Sequence, residues 1–333
     1  MQSKKIIRLP DVGVLPHHLQ GGVIAIGNFD GVHRGHLAVL ETALEKARIL
    51  GRPAIVLTFE PHPRSFFNPG KPLYRLTPAD ERAEILAQLG FDAVIEQRFT
   101  KEFSSHQAKE FTDTILRDCL KASVVVTGDN FHFGAKRTGT PDFLINEGKN
   151  CGFDVVIVDG FLDENSELVS SSRIRQALSC GAVEEAAGLL GYRYTIRSNV
   201  IHGAALGRQI GFPTANMRLD SETGLKFGVY AVRFRTQNGA IYNGVSSYGL
   251  RPTVNQLKEP LLETFIFDFN EDIYGQTCFV SFFSYLRGEL KFNGLEPMIE
   301  QIKKDEEEAR EILTHVAPLN QLDQYLAFDE WNK

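Results

Sequence analysis

Two histidines three residues apart, His33 and His36, lie in a glycine-rich segment near the start of the chain. The apolar stretch Val23–Ile26 before the segment predicts a buried strand, and apolar residues at helical spacing follow it. A strand-to-helix turn of this kind offers free backbone N–H groups and the positive end of a helix dipole. Two imidazoles on one face of such a turn can donate to phosphate oxygens, so the segment favours triphosphate binding over peptide hydrolysis. The alternative is a tight turn that uses its glycines only for positive φ.

Length and composition set limits on the class of protein. The chain has 333 residues, enough for one large or two ordinary domains, and 43% of them are hydrophobic. A formal net charge of −6 argues against a nucleic-acid-binding protein that depends on a large basic surface. We find no signal peptide, no apolar run of membrane-spanning length, and no metal-ligand spacing among the four cysteines. We therefore expect a cytoplasmic protein without nucleic-acid or membrane partners, and the sequence carries no signal for its oligomeric state.

Strand and helix patterns alternate in the first half of the chain. That alternation predicts a parallel sheet covered by helices, with ligands beyond the carboxyl ends of the strands. A helix is predicted from Thr77, as the cap, and Pro78, at its first position, to a stop at Gly90. A second helix of the same design is predicted from Pro141 to Gly152. The predicted strands are residues 23–26, 54–59, 93–95, 123–127 and 154–158.

Strand patterns without intervening helices fill most of the second half. They predict an antiparallel barrel or sandwich. An amphipathic helix near residues 295–314 follows, and its acidic run at residues 305–308 is expected to be a solvated face. Its candidate packing residues are Ile299, Ile302, Ala309 and Ile312. The predicted strands are residues 194–201, 229–235, 240–246, 261–268 and 277–283.

The histidine segment resembles a known family signature. The bacterial bifunctional riboflavin kinase/FAD synthetases, which are similar to the wider HxGH nucleotidylyltransferases, carry G-x-F-D-G-x-H-x-G-H, matched here by Gly27-Asn28-Phe29-Asp30-Gly31-Val32-His33-Arg34-Gly35-His36. The resemblance covers nearly the whole chain. It implies an α/β Rossmann-like FMN adenylyltransferase domain over residues 1–186. It also implies an antiparallel β-barrel riboflavin kinase domain with a C-terminal helix over residues 187–333.

Three further segments resemble the adenylyltransferase half of that family. They are Glu60-Pro61-His62-Pro63, the loop at residues 128–134 that matches G-x-[DN]-F-x-F-G, and Ser170-Ser171-Ser172-Arg173-Ile174-Arg175. Each by itself could be structural: a rigid proline loop, packed phenylalanines, or a helix cap beside surface arginines. The resemblance implies that Asn130 joins His33 and His36 as a catalytic residue. The nucleotide- or flavin-binding residues that it implies are Gly27, Phe29, Asp30, Gly31, Gly35, His62, Ser171, Arg173 and Arg175.

A second strong signal, Gly211-Phe212-Pro213-Thr214-Ala215-Asn216, resembles the P-T-A-N motif of riboflavin kinases. A threonine hydroxyl and an asparagine carbonyl are hard oxygen ligands suited to Mg²⁺, so Thr214 and Asn216 are the implied metal ligands. The alternative is a proline turn with an asparagine cap. A glycine-bearing loop upstream differs from a Walker A motif and has Leu206 where the family usually has a basic residue. The nucleotide-binding residues implied here are Gly203, Gly207, Arg208 and Asn216.

Three later segments complete the resemblance. Leu262-Glu263-Thr264-Phe265 matches the segment that carries the family's catalytic glutamate, and Tyr248-Gly249-Leu250-Arg251-Pro252-Thr253 and Leu286-Arg287-Gly288-Glu289 match its neighbours. By itself Glu263 could be an outward-facing strand carboxylate. The resemblance implies that Glu263 is the general base for the terminal ribityl hydroxyl and that Arg287 lies in a loop that closes on flavin. Phe265 stands where the family often has histidine.

The function implied is that of an enzyme that consumes ATP twice. Phosphorylation of riboflavin gives FMN, and adenylylation of FMN gives FAD and pyrophosphate, with Mg²⁺ on the phosphates. The second step needs positioning and charge stabilisation rather than a protein nucleophile. One alternative is an adenylyltransferase for another phosphorylated substrate such as phosphopantetheine, which Thr214, Asn216 and Glu263 disfavour. The other is a flavin-sensing or nucleic-acid-binding protein on an enzyme fold, which the retained catalytic candidates disfavour.

Overall fold

Contacts divide the chain into two compact units, Met1–Ser171 and Ser172–Lys333. The computed structural model describes residues 5–71, 73–203, 207, 210–219, 223–252 and 258–331. The functional boundary predicted between residues 186 and 187 stays a prediction. No helix in the described ranges is long and apolar enough to cross a membrane.

The first unit is built on a six-stranded parallel sheet. Its strands lie in the order β1-β4-β3-β2-β5-β6. The chain moves from β2 to β3 on one side of the sheet and returns to β5 on the other, so β2 ends at the point where the strand order reverses. The predicted α/β class is confirmed. The strands are β1 (Ile7–Leu9), β2 (Val23–Ile26), β3 (Ala54–Glu60), β4 (Ala93–Arg98), β5 (Val124–Gly128) and β6 (Asp154–Val158).

Helices connect these strands and lead into the second unit. The helix α5 continues as the π-helical segment Phe111–Cys119. The helices are α1 (Arg34–Leu50), α2 (Pro63–Phe67), α3 (Ala79–Leu89), α4 (Lys101–Ser105), α5 (Ala108–Glu110), α6 (Pro141–Cys151), α7 (Ser171–Cys180) and α8 (Val183–Leu190).

The first residues of α6 and α3 show one capping prediction that is confirmed and one that a tertiary contact overrides. The cap of α6 is as predicted: the Thr140 hydroxyl accepts the N–H of Phe143, and Gly152 ends the helix with φ +82°. The prediction for α3 is wrong by one residue, because α3 begins at Ala79. The Thr77 hydroxyl does not cap α3; it accepts the backbone N–H of Gly31 at 2.7 Å instead.

The second unit contains a closed antiparallel barrel with strand order β10-β11-β8-β7-β12-β9. Closure confirms the barrel and excludes the sandwich. Strand β8, which contains the P-T-A-N residues, was not predicted, yet the barrel closes through its pairing with β11 and β7. The strands are β7 (Thr195–Ile201), β8 (Thr214–Arg218), β9 (Gly228–Arg235), β10 (Ile241–Pro252), β11 (Lys258–Ile266) and β12 (Thr277–Arg287).

Two helices, α9 (Leu295–His315) and α10 (Gln321–Ala327), complete the second unit. Helix α9 packs on β9, β10 and β12, and its Ala309 and Leu313 are buried against the outside of the barrel. The predicted packing residues Ile299, Ile302 and Ile312 are half-buried.

The prediction that residues 305–308 form a solvated face is wrong for Asp305. Its side chain is buried at 3% exposure. It accepts hydrogen bonds from Nε and Nη2 of Arg287 at 2.8 and 2.6 Å and from Gln301 at 2.9 Å. The run of acidic residues does not show that one carboxylate faces inward, because its arginine partner comes from a strand.

Candidate active sites

The segment Gly27–His36, termed here the histidine turn, connects β2 to α1 at the carboxyl edge of the parallel sheet. His33 is the N-cap of α1, and its Nδ1 accepts the backbone N–H of His36 at 3.3 Å. The two imidazole rings stack, with centroids 3.6 Å apart and planes 17° apart. Gly35 allows this close approach, since a Cβ at that position would lie 3.2 Å from the His33 ring. The predicted pair of imidazoles on one face is confirmed.

The protonation of this pair follows from its contacts. Because Nδ1 of His33 accepts a hydrogen bond, a neutral His33 ring carries its proton on Nε2. Burial, the adjacent His33 ring and the guanidinium of Arg82 lower the pKa of His36 well below its ordinary value. His36 is therefore neutral near physiological pH. Because His36 is neutral, the stacked pair avoids the repulsion of two adjacent cations, and each ring can donate one N–H to an anion.

The backbone of the histidine turn is strained at two residues that are not glycine. Phe29 has φ +48° and Val32 has φ +36°, and the left-handed region is most costly for a β-branched residue such as Val32. Phe29 is 1% exposed, and its ring lies against Gly27, where a Cβ would stand 2.9 Å away. The same ring meets His36 edge-on at 5.4 Å. Phe29 therefore shapes the turn from inside the unit.

Hydrogen bonds hold the centre of the turn in place. Asp30 is 2% exposed, and its carboxylate accepts the backbone N–H of Leu76 at 2.9 Å. Gly31 donates its N–H to the Thr77 hydroxyl, and the Ser171 hydroxyl donates to the Asp30 carbonyl oxygen at 2.8 Å. Two predicted binding residues of the turn, Asp30 and Gly31, are thus held by residues far along the chain, and one of these is the predicted binding residue Ser171.

The remaining candidates of the N-terminal half lie on three other segments. Asn130 is exposed in the loop after β5, which neighbours β2 in the sheet, so this loop and the histidine turn share one edge. His62 follows β3 and caps α2, with Nδ1 accepting a backbone N–H at 3.1 Å. Arg173 and Arg175 lie in α7, within the second unit.

Sequence reasoning missed a cluster of phenylalanines at the carboxyl ends of β3 and β4. Phe66 and Phe67 of α2 meet Phe99 edge-to-face at 5.4 and 5.8 Å, and Phe99 also contacts Phe59 and Phe103. Phe67 is 62% exposed, although aromatic rings usually bury most of their surface. The signal that could have identified them is their position at the end of a predicted strand or within eight residues after one. We refer to these five residues as the phenylalanine cluster.

The kinase candidates meet in a row that crosses the barrel. Strand register pairs Asn216 with Glu263, Glu263 with Ser247, Ser247 with Val229, and Val229 with Arg287. Paired residues of antiparallel neighbours project to the same face of a sheet. Asn216, Glu263 and Arg287, which span 72 positions of sequence, thereby share one face, and we call this set of five the transverse row.

That face is the outer one. Leu262 and Thr264, which flank Glu263 in β11, are both 0% exposed inside the barrel, so Glu263 points the other way. Val229 of the transverse row packs in one apolar cluster with Ala309 of α9. The alternative prediction, that Glu263 is an outward-facing strand carboxylate, is therefore correct about the direction in which the side chain points. It does not conflict with catalysis, because the outer face is where the other kinase candidates lie.

The proposed metal ligands Thr214 and Asn216 lie in the first residues of β8, not in a turn. Nδ2 of Asn216 donates to the Thr214 carbonyl oxygen at 3.1 Å, which leaves Oδ1 as the amide atom that can ligate a cation. Gly203 lies directly against this amide, since a Cβ there would stand 2.5 Å from Nδ2 and 2.8 Å from Oδ1. A Cβ at Gly207 would collide with the carbonyl oxygen of Phe212. Both glycines are therefore needed for their backbone to come this close to residues 212–216.

The remaining kinase candidates are Arg287, which belongs to an ion pair, and residues that the structure does not describe. Arg287 binds the Asp305 carboxylate through two nitrogens and donates Nη1 to the Gly288 carbonyl oxygen at 2.9 Å. Arg208 and the departure at Leu206 lie outside the described residues, as does Thr253.

Two family models match the chain in sequence order. FAD synthetase matches residues 15–173 and riboflavin kinase matches residues 190–313. The chain is 41% identical over 292 residues to a bifunctional riboflavin kinase/FMN adenylyltransferase from Listeria monocytogenes, a match that covers 86% of this chain and 91% of that one. It is also 41% identical over 292 residues to a protein of the same name from Haemophilus influenzae, covering 88% and 94%.

A crystal structure described as a macrolide-efflux protein from Streptococcus pneumoniae is similar in fold. The TM-score is 0.81 at 33% identity, and the match covers 92% of this chain and 99% of that one. We do not carry its name over, because both family models and the curated relatives agree on a different activity. This chain therefore belongs to the bifunctional riboflavin kinase/FMN adenylyltransferase family and is an enzyme with both domains.

Proposed function

We propose that this chain makes FAD from riboflavin with adenylyl transfer at the histidine turn and phosphoryl transfer at the transverse row. The supporting observations are the paired imidazoles His33 and His36 in the first unit and the paired residues Asn216 and Glu263 in the second. The stacked imidazoles stand at the carboxyl edge of the sheet, and Asn216 and Glu263 face each other across one strand pair. The substrates are riboflavin, FMN and ATP. A cytoplasmic location and a lack of nucleic-acid partners stay predictions.

In adenylyl transfer, a phosphate oxygen of FMN attacks the α-phosphorus of ATP. A P–O bond forms to FMN while the bond between the α-phosphorus and its bridging oxygen to the β-phosphate breaks, and pyrophosphate leaves. The Nε2–H of His33 and one N–H of His36 donate to the oxygens on which charge develops. The first turn of α1 adds the positive end of its dipole. Arg173 and Arg175 stay predicted phosphate ligands, and Asn130 a predicted active-site residue.

The phenylalanine cluster is proposed as the surface for the isoalloxazine ring of FMN. It lies beyond β3 and β4, on the same sheet edge as the histidine turn. An exposed aromatic such as Phe67 offers a flat apolar face, and stacking on such a face is favourable for a planar ring. A flavin held there would bring its phosphate along the sheet edge toward the stacked imidazoles.

In phosphoryl transfer, Glu263 takes the proton of the terminal ribityl hydroxyl as that oxygen attacks the γ-phosphorus of ATP. ADP leaves with the electrons of the broken P–O bond. The hydroxyl of Thr214 and Oδ1 of Asn216 fit Mg²⁺ as hard oxygen ligands, with water completing the coordination. The chemistry that Mg²⁺ supplies when bound is neutralisation of phosphate charge.

The test is to incubate the purified protein with riboflavin, ATP and Mg²⁺ and to separate the flavins by chromatography. FMN and then FAD are expected. His33→Ala should reduce FAD formation from FMN by about 100-fold, as the loss of a transition-state donor does, and leave FMN formation intact. His18→Ala, which changes an exposed histidine of the first unit, is the control. Adenylylation of phosphopantetheine without FAD formation would favour the alternative acceptor, and wild-type FAD formation by His33→Ala would contradict the role of His33.

A further inference from the structure

Two arginines, one fully buried and one partly exposed, lie next to the histidine turn, and neither belongs to a motif. Arg82 of α3 is 0% exposed, and its Nη2 donates to the Glu60 carboxylate at 2.6 Å. The Arg75 side chain is 15% exposed; Nη1 donates to Glu60 and Nε donates to Asp30, each at 3.2 Å. Both arginines come from one short segment of chain and meet the carboxylate at the end of β3. The result is a linked series of ion pairs that ends on a residue of the histidine turn.

This series holds the turn on both sides of the strained Phe29. On one side, the Asn28 carbonyl oxygen accepts from the Thr58 hydroxyl at 3.2 Å and lies 3.5 Å from Nη1 of Arg82. On the other side, the Asp30 carboxylate accepts from Nε of Arg75. A backbone in the left-handed region persists only where its surroundings enforce it. The buried ion pairs supply that enforcement.

Buried polar atoms without a hydrogen-bond partner gather at the same place. Among the described residues they include Oδ1 of Asn28, Nδ1 of His36, Nη2 of Arg75 and Nε of Arg82. A network that served stability alone would satisfy its donors and acceptors, because an unsatisfied buried group is costly. Four such atoms lie around one turn, so the protein groups of this network leave part of its hydrogen-bonding capacity unused.

We propose that Arg82 and Arg75 are positioning residues for adenylyl transfer, which hold the histidine turn through Glu60 and Asp30 so that the stacked imidazoles present their N–H groups in one geometry. This inference rests on the proposed function of the histidine turn.

The charge of Arg82 acts on the imidazoles as well as on the backbone. The titratable groups that face His36 are His33 and Arg82, and Arg82 in turn is paired with Glu60 and lies near Arg75. Arg82 is one of the causes that lower the pKa of His36. A neutral residue at position 82 removes that cause, so the pKa of His36 rises toward its ordinary value and the neutral ring is lost at a higher pH than in the wild type.

The experiment compares Arg82→Gln and Arg82→Lys with Arg48→Gln, which changes an exposed arginine of α1 that forms an ion pair with exposed Glu45. FAD formation from FMN is measured across pH, the titration of His36 is followed by NMR in the ligand-free enzyme, and riboflavin phosphorylation reports on folding. Arg82→Gln should lower the rate of FAD formation by about 10- to 100-fold and move both its acid limb and the His36 titration to higher pH. Riboflavin phosphorylation should stay within about twofold of wild type.

Arg82→Lys separates charge from geometry. Lysine keeps the positive charge, so the His36 titration should stay near its wild-type position. It lacks the planar fork that reaches Glu60 and the Asn28 carbonyl, so FAD formation should still fall by about tenfold. A purely electrostatic role would leave Arg82→Lys fully active and would overturn the positioning role.

Two further results would overturn the proposal. One is a folded Arg82→Gln variant with wild-type FAD formation and an unchanged His36 titration. If Arg82→Gln does not fold, the partly exposed Arg75→Gln decides: it should lose about tenfold in FAD formation and keep riboflavin phosphorylation, and wild-type FAD formation would refute the inference. Failure of the proposed function would look different, since His33→Ala would then make FAD normally while Arg82→Gln still shifted the His36 titration.

Discussion

The histidine turn and the transverse row are the two proposed sites of ATP chemistry, but they are built in opposite ways. The histidine turn consists of ten consecutive residues, and strand β2 and helix α1 position it. The transverse row takes its members from five strands, and its order exists only in the register of the closed barrel. A contiguous site can be recognised from a local pattern, whereas an assembled site is recognisable only in fragments. How strongly a sequence motif stands out therefore depends on whether its residues are consecutive as much as on the chemistry that they perform.

The two regions also differ in where their arginines lie. Arg75 and Arg82 lie next to the histidine turn, and their carboxylate partners come from the end of β3 and from the turn itself. Arg287 is a member of the transverse row, and its partner Asp305 comes from the helix that covers the barrel. The first arrangement supports a backbone; the second ties a side chain of the site to α9.

The largest expected effect is a loss of riboflavin phosphorylation with adenylyl transfer retained. Glu263→Gln keeps the size of the side chain but cannot accept the ribityl proton, so riboflavin phosphorylation should fall by about 10²–10⁴-fold. FAD formation from supplied FMN should persist. Both rates are measured on one preparation, with the exposed Glu271→Gln as the control. Phosphorylation at the wild-type rate would exclude Glu263 as the base, and loss of both activities would indicate a folding defect.

A smaller effect tests whether position 203 must be glycine for the backbone to lie against the Asn216 amide. Gly203→Ala places a methyl group 2.5 Å from Nδ2 of Asn216, so the amide must move from its position beside Thr214. We expect a loss of about 100-fold in phosphorylation, as a displacement of this size causes, measured as kcat at saturating Mg²⁺ and again across a Mg²⁺ titration. Adenylyl transfer should not change.

The chain offers a matched control for this glycine. Gly188 lies inside α8 with open space around its missing Cβ. Gly188→Ala should therefore stabilise the protein by about 0.5–1 kcal/mol through helix propensity and leave both activities intact. Equal losses of phosphorylation in the two variants would show that the contact between Gly203 and Asn216 is not the cause.

The smallest effect concerns the link between Arg287 and α9. Asp305→Asn removes the charge that holds Arg287, and we expect a loss of about 1–3 kcal/mol in the free energy of unfolding. The KM for riboflavin should rise by roughly fivefold, which corresponds to about 1 kcal/mol, with a smaller change in kcat. Thermal unfolding and steady-state phosphorylation measure these, with the exposed Glu307→Gln as the control. A stable variant with an unchanged KM would show that Asp305 does not position Arg287.

Much of the first unit is predictable because its central strands are buried on both faces. Such strands appear in sequence as continuous apolar runs, and the predicted strand at residues 23–26 matches the fully buried β2. The edge strand β6 is half-buried, but its apolar run also matches the prediction at residues 154–158. Strand β8 escaped prediction because Pro213, Ala215 and Asn216 have low strand propensity. Hydrogen bonding to β11 on one side and β7 on the other overrides that propensity.

The misassigned Asp305 and the unnoticed Arg82 have a common cause. Each is a charged residue on a helix that carries several other charged residues, and a sequence pattern treats all of them alike. Which one turns inward depends on a partner from another element: Arg287 lies 18 positions from Asp305, and Glu60 lies 22 positions from Arg82. Local periodicity carries no information about such partners.

The sequence by itself determined the chemical groups of both sites: two imidazoles at helical spacing, a threonine and an asparagine as hard oxygen ligands, and a glutamate in an apolar strand. Residue type and local spacing suffice for that, because they set the donors, acceptors and backbone freedom of a segment. Only the tertiary structure decided that Asn216 and Glu263 face each other, that Asp305 is buried, and that Arg82 lies next to the histidine turn. The reason is physical, since register and burial are set by hydrogen bonds and packing between residues far apart in the chain.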